Sequence, residues 1–238
     1  MMHGIDVSDY QTVSDWSQVR AHAEFCYVQV GYGTAKGVAE PPGAGSRLVG
    51  AYEHGLRVGR YFFGYPSPDL ATARDQGQAA GEWFRKRWLN YSPTAFDHDL
   101  PSMLDLEINP SGMDQSRLAG WVEEWLAATG LPPETLGIYT SPGFWSGALG
   151  AWWPSSIRHL WIAAWSAPSA PRPAGLPTPF CWQVSGNGRV PGIIGPVDLD
   201  VLLFDPATQP AAPPTPRPTP DLARVATLLR EALRLVES

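Results

Sequence analysis

The stretch Pro101-Ser102-Met103-Leu104-Asp105-Leu106-Glu107-Ile108-Asn109-Pro110 sets two carboxylates two residues apart in an otherwise apolar run. The bracketing prolines and apolar filler predict a short buried strand. Residues i and i+2 of a strand project from one face, so Asp105 and Glu107 should point together, roughly 6–7 Å apart along the backbone. Holding two acids side by side among apolar neighbours costs desolvation and mutual repulsion. Such arrangements concentrate where chemistry needs them. The same spacing also suits a strand end whose acids meet solvent or pair with arginine, because D-x-E is a short pattern.

The elements that would position these acids alternate along the chain, which predicts a parallel α/β sheet or barrel. Strand-like runs fall at His3–Val7, Phe25–Gly31, Arg57–Tyr65, the Pro101–Pro110 stretch and Leu136–Thr140. Helical pieces are expected over Asp15–Ala23, from a Ser46 cap to Gly55, from an Asp69 cap over Leu70–Leu89, and over Asp114–Thr129 with Gly130-Leu131-Pro132-Pro133 as its stop. Ser141–Trp153 reads as tryptophan-rich and partly helical. After it, His159–Trp165, Phe180–Ser185 and Val197–Phe204 are strand-like with no room for helices between them. The expectation is an α/β fold, a TIM-like barrel of eight strands with helices only among the first five, over residues 1–205. Residues 206–220 are a proline-rich linker. Thr219 and Pro220 open an amphipathic helix, Asp221–Glu237, within residues 221–238, whose apolar stripe suits self-association or docking on the barrel over wall or membrane binding.

In an α/β barrel the C-terminal strand ends and the loops beyond them build the site. This rule gathers Asp6, at the end of the first strand, with Asp105 and Glu107 on the fourth and Asp198 at the start of the last. Crowded carboxylates push one another's pKa values apart, so one should keep its proton near neutral pH. A protonated carboxylic acid beside ionised ones is the arrangement that glycoside hydrolysis uses. Aromatic residues at or near predicted strand ends suit a sugar polymer: Tyr32, Tyr61, Tyr139, Trp145, Trp165 and Trp182, with Gln183 beside the last as a polar partner. Trp152 and Trp153 are further platform candidates in a predicted loop, whereas Trp161 and Phe63 read as core.

These residues carry a family resemblance. H-G-I-D-V-S-D-Y-Q, then Asp15-Trp16, then G-L-R-V-G-R-Y-F-F, L-D-L-E, G-I-Y-T, L-W-I-A-A-W and C-W-Q-V-S-G-N-G-R-V-P-G-I-I-G-P-V-D-L-D resemble the blocks of glycoside hydrolase family 25 lysozymes, in order, from Met2 to about Asp205. The resemblance implies a (β/α)5(β)3 barrel that cleaves the β-1,4 bond between N-acetylmuramic acid and N-acetylglucosamine in peptidoglycan. It implies Glu107 as general acid and Asp6, Asp105 and Asp198 as supporting carboxylates. Tyr61 and Tyr139 would lie near the substrate N-acetyl group. Two positions depart from the family's usual pattern: Tyr61-Phe62-Phe63 stands for Tyr-His-Phe, and Gln29-Val30-Gly31 replaces a run that often carries lysine. The readings kept beside this one are a glycan-binding barrel that does not cleave, and a hydrolase of another N-acetylated glycan such as chitin.

A net charge of −6 supplies no basic footprint for nucleic acid. No run approaches the ~18 apolar residues of a membrane span, and the five histidines lack metal-ligand spacing. No metal or cofactor is expected. Cys26 and Cys181 read as free buried thiols. The start of the chain has no signal-peptide pattern. The expectation is therefore a phage endolysin made in the host cytoplasm and released onto the wall, with an exported bacterial autolysin as the alternative. The expected partners are peptidoglycan glycan strands and a second copy through Asp221–Glu237.

Overall fold

The computed structural model describes residues 1–67, 72–91 and 100–206. Its strands are β1 (Met2–Val7), β2 (Thr12–Val13), β3 (Phe25–Thr34), β4 (Gly37–Ala39), β5 (Arg57–Phe63), β6 (Ser102–Asp105), β7 (Leu136–Thr140), β8 (His159–Ala163), β9 (Cys181–Gly188), β10 (Ile193–Ile194) and β11 (Val197–Leu202). The helices are α1 (Trp16–Arg20), α2 (Ala44–Glu53), α3 (Ala73–Tyr91), α4 (Gln115–Thr129) and α5 (Pro142–Ala148).

Eight strands close a barrel in the order β1-β3-β5-β6-β7-β8-β9-β11, with β11 returning to β1. The pairings from β1 through β9 are parallel, while β11 runs antiparallel to both neighbours. This is the expected (β/α)5(β)3 barrel. The reversed last strand brings its start, not its end, to the mouth, where Asp198 pairs in register with Asp6.

Local chemistry sets the helix ends. Asp15 accepts from the backbone N–H of Ser17 and Gln18, and Asp114 accepts from Arg117 N–H at 2.9 Å. Gly130, at φ 61°, ends α4 in the left-handed region that glycine adopts without strain. At α2 the expectation differs. Gly43 (φ 74°) follows Pro41-Pro42 and starts the helix at Ala44, so Ser46 lies inside the first turn instead of capping it. At α5, Ser141 caps and Pro142 opens the helix, which ends at Ala148, short of the expected Trp153. The Asp69 cap, the linker beyond Pro206 and the Asp221–Glu237 helix lie outside the described residues.

Two apolar clusters follow from strand alternation. One fills the barrel interior with Phe25, Tyr27, Tyr61, Met103, Tyr139, Trp161, Phe180, Cys181 and Leu202. The other lies between sheet and helices, where Phe62 packs on Trp83, Phe84 and Trp125. The Phe62 departure from the family pattern thus falls on the outer face of β5. Both cysteines are free and buried, as expected.

Candidate active site

A cleft of about 460 Å³ opens at the strand ends. Asp6, Asp105, Glu107 and Asp198 line it together with Gln29, Tyr32, Tyr61, Tyr139, Trp165 and Gln183. Four carboxylates separated by up to 192 positions in sequence (from 6 to 198) are thus gathered in one mouth.

The fourth strand is shorter than the sequence suggests. It ends at Asp105, although Leu106 N–H still donates to Tyr139 C=O at 2.9 Å. Beyond it the Asn109 side chain closes a turn, accepting from Met113 N–H at 3.0 Å and donating to Met113 C=O at 2.8 Å. Asp105 is therefore buried at the strand end, and Glu107 stands exposed on the following loop at the rim. The two carboxylates share the cleft but occupy different depths and environments.

Gln183 ties the floor to the walls. Its Nε2 donates to Asp6 Oδ2 at 2.8 Å, and its Oε1 accepts from both Tyr139 Oη and Trp165 Nε1 at 2.9 Å. Trp165 lies just past β8, 60% exposed, with its ring against Gly186. A Cβ at Gly186 would come within 2.5 Å of that ring, so only glycine leaves the indole its seat. The turn after β1 is held by Ser8 N–H and Ser8 Oγ donating to Gln11 Oε1 at 2.9 and 3.0 Å, and it presents Tyr10 at the rim.

The expectations for four tryptophans are corrected. Trp145 does not reach the cleft: it is fully buried, stacks on Trp152 and donates Nε1–H to Trp152 C=O at 2.8 Å. Trp152 and Trp153 belong to the same outer cluster and present no glycan platform; Trp153 donates to Ile157 C=O. Trp145, Trp152 and Trp153 read as a loop platform, but α5 and the turn after it pack all three against the outer cluster. Trp182 also lies outside the cleft lining. It alternates with inward Cys181 and Gln183 along β9 and donates Nε1–H to Ala164 C=O at 3.0 Å. Trp161 and Phe63, read as core, do line the cleft; Trp161 is at once its floor and part of the interior cluster.

The sequence reading missed Asp200. It is fully buried on β11 and accepts from Trp161 Nε1 at 2.9 Å, diagonal to Asp6 across the β1–β11 pairing. The signal was available, since V-D-L-D repeats the i, i+2 spacing that singled out Asp105 and Glu107.

The electrostatics all run one way. Burial pushes Asp6 up to about 8; the charges of Asp198 and Glu107 add to the rise, and hydrogen bonds to Gln183 and Asp200 oppose it. Burial lifts Asp105 and Asp200 well above the usual carboxylate range, reinforced by Glu107 beside Asp105 and by Asp6 beside Asp200. Desolvation raises Asp198 to about 6, and desolvation with the Asp198 charge raises Glu107. Unit charges about 4 Å apart repel by about 4 kcal/mol at an effective protein dielectric of ~20, equivalent to about three pKa units. The buried carboxyls therefore cannot all ionise at neutral pH, and the site stores protons. The Tyr61 and Tyr139 phenols, pushed up by burial and the carboxylates, stay un-ionised.

Residues 5–193 match the family model described as glycosyl hydrolases family 25. The chain belongs to this family. Its relatives include Lysozyme M1 of Streptomyces globisporus, 30% identical over 207 residues that cover 83% of this chain and 66% of that protein. The chain thus spans slightly under two thirds of this curated relative's length. Among solved structures, a bacterial lysozyme from Streptomyces coelicolor superposes with a TM-score of 0.69 at 25% identity, covering 87% of this chain and 94% of that one. A muramidase from Acremonium alcalophilum shares the fold, with a TM-score of 0.66 at 22% identity over 86% and 95% of the two chains.

Proposed function

We propose that this family 25 barrel is a lysozyme that hydrolyses the β-1,4 bond between N-acetylmuramic acid and N-acetylglucosamine in peptidoglycan. One observation carries the reading: Glu107 keeps a raised proton affinity at an accessible rim, above three carboxylates drawn from β1, β6 and β11. A general acid must both hold a proton and reach the leaving oxygen. The family match and two relatives named as lysozymes support the substrate class.

In this mechanism Glu107 protonates the glycosidic oxygen. Asp198, raised only to about 6 and so ionised at neutral pH, stabilises the oxocarbenium-like centre that develops below it, with the Asp6 carboxyl beside it. Asp105 Oδ1 is buried and meets no hydrogen-bond donor among the described residues. This vacancy suits an acetamido N–H of the substrate, which Asp105 would orient so that the acetamido oxygen closes on the anomeric carbon. Trp165 and Tyr10 offer exposed faces for the glycan strand. Glu107→Gln in the full chain should abolish release of reducing sugars from purified peptidoglycan while circular dichroism stays native. Near-wild-type turnover in that variant would remove Glu107 from its role.

The finer reading is an endolysin made in the host cytoplasm and acting on the wall after release. A barrel followed in sequence by a proline-rich tether and an amphipathic segment supports it. Cytoplasmic expression should leave host cells intact until their membrane is permeabilised. Lysis with equal speed before permeabilisation would contradict it.

A further inference from the structure

Asp200 is absent from the cleft lining, yet it lies directly beneath it. It is 1% exposed, one pleat along β11 from Asp198. Its Oδ1 accepts the Trp161 indole N–H at 2.9 Å, while Oδ2 meets no side-chain or backbone donor among the described residues. The Asp6 carboxyl lies beside it, diagonal across the β1–β11 register that pairs Asp6 with Asp198 and Gly4 with Asp200. Two carboxylates offer only acceptors, so the two can bond only while one of them keeps its proton. The Asp6 Oδ2 takes the Gln183 amide N–H at 2.8 Å, which leaves Oδ1 as the oxygen that meets Asp200. The titratable side chains around Asp200 on the interior side are Asp6 from β1, Tyr27 from β3, Tyr139 from β7, Cys181 from β9 and Asp198 on its own strand, while Cys26 lies on the outer face of β3. None is a cation; the Trp161 N–H favours an ionised Asp200, but burial and the Asp6 carboxyl outweigh it.

We propose that Asp200 is a positioning residue: an un-ionised carboxylic acid whose O–H donates to the Asp6 carboxyl and fixes its orientation toward the cleft. The proposal rests on the lysozyme reading of the same site. Gln183 and Asp200 then hold Asp6 from two directions, leaving its remaining lone pairs for the cleft. Burial among apolar side chains lifts the Asp200 acid in the direction this role needs. Keeping a carboxylic acid neutral in an apolar setting so that it can donate a hydrogen bond is an established catalytic device. Trp161, stacked on Tyr27 at 4.6 Å, donates to Asp200 from the interior cluster and anchors it to the barrel floor.

Peptidoglycan digestion by the full chain across pH separates this role from simple packing. Asp200→Asn replaces the O–H donor by a neutral N–H donor, and it should retain kcat within about threefold with an unchanged pH profile. Asp200→Ala removes the donor. Its kcat should fall at least about tenfold with KM little changed, and its profile should shift, because Asp6 loses an anchor without losing a substrate contact. Asp200→Asn falling as far as Asp200→Ala, or showing a profile moved to lower pH, would overturn the proposal. So would wild-type kcat and profile in Asp200→Ala. If the alanine variant does not fold, infrared difference spectra decide. At neutral pH the wild type should show the C=O band of an un-ionised carboxylic acid that Asp200→Asn lacks, and the absence of that band would count against the proposal. An inactive wild type showing this band would sink the lysozyme reading and leave the state of Asp200 established.

Discussion

Gln183 shows how few side chains hold the site together. Both lone pairs of its Oε1 are occupied, by Tyr139 Oη and Trp165 Nε1, and its Nε2 is committed to Asp6. Flipping the amide would set donor against donor and acceptor against carboxylate, so one orientation persists. The sequence placed Gln183 among the substrate-binding residues, whereas the structure buries it to 3% exposure as the link between an aromatic wall and the floor carboxylate. Gln183→Leu conserves much of the volume and leaves three polar partners unmet. It should lower kcat/KM by roughly 10- to 100-fold, equivalent to about 1.4–2.8 kcal/mol. A folded Gln183→Leu with wild-type kcat/KM would remove Gln183 from this positioning role. The neighbouring Asp200 follows the same logic one layer deeper. Its identity and spacing were legible, but its depth was not, because period-two alternation says which face a residue takes and not how far down the barrel it sits.

At the scale of elements, the eight barrel strands and four of the five helices were legible from hydrophobic runs and stop signals. The 3.6-residue period of α4, with Asp114 and Gly130 at its ends, left little ambiguity. What the sequence could not supply were the points where tertiary geometry decides. Asn109 turns the chain soon after Asp105, so a run read as one strand became a strand plus a loop, and the two acids acquired different depths. The antiparallel course of β11 has no local signature, yet it puts Asp198 opposite Asp6. Trp145, Trp152 and Trp153 misled because composition alone does not say which side of a short helix meets the barrel. Glu107, Asp105, Asp6 and Asp198 were legible for a different reason: barrel topology brings strand ends together whatever the details between them.

At the scale of the molecule, the clustered acids make stability depend on pH in a defined direction. Asp6 is raised to about 8 and Asp198 to about 6, and Asp105, Asp200 and Glu107 are raised as well. Between about pH 4 and pH 8 the native chain therefore binds more protons than the unfolded one. Stability must then fall as pH rises through this window. The stabilising contribution is complete below the unfolded carboxylate range and is lost as the raised groups ionise. Tm should accordingly be lower at pH 8 than at pH 5. Asp105→Asn, which removes a buried acid whose Oδ1 meets no donor among the described residues, should recover roughly 2–4 °C of it at pH 8. A Tm that climbs from pH 5 to pH 8, or an Asp105→Asn variant less stable than wild type at pH 8, would contradict this proton inventory.

The most direct measurement is mass spectrometry of the fragments that the full chain releases from purified peptidoglycan, with Glu107→Gln digested in parallel. A lysozyme with Glu107 as its acid must yield fragments ending in reducing N-acetylmuramic acid from the wild type and none from the variant. Reducing N-acetylglucosamine ends, or no fragments from folded wild-type protein, would contradict it.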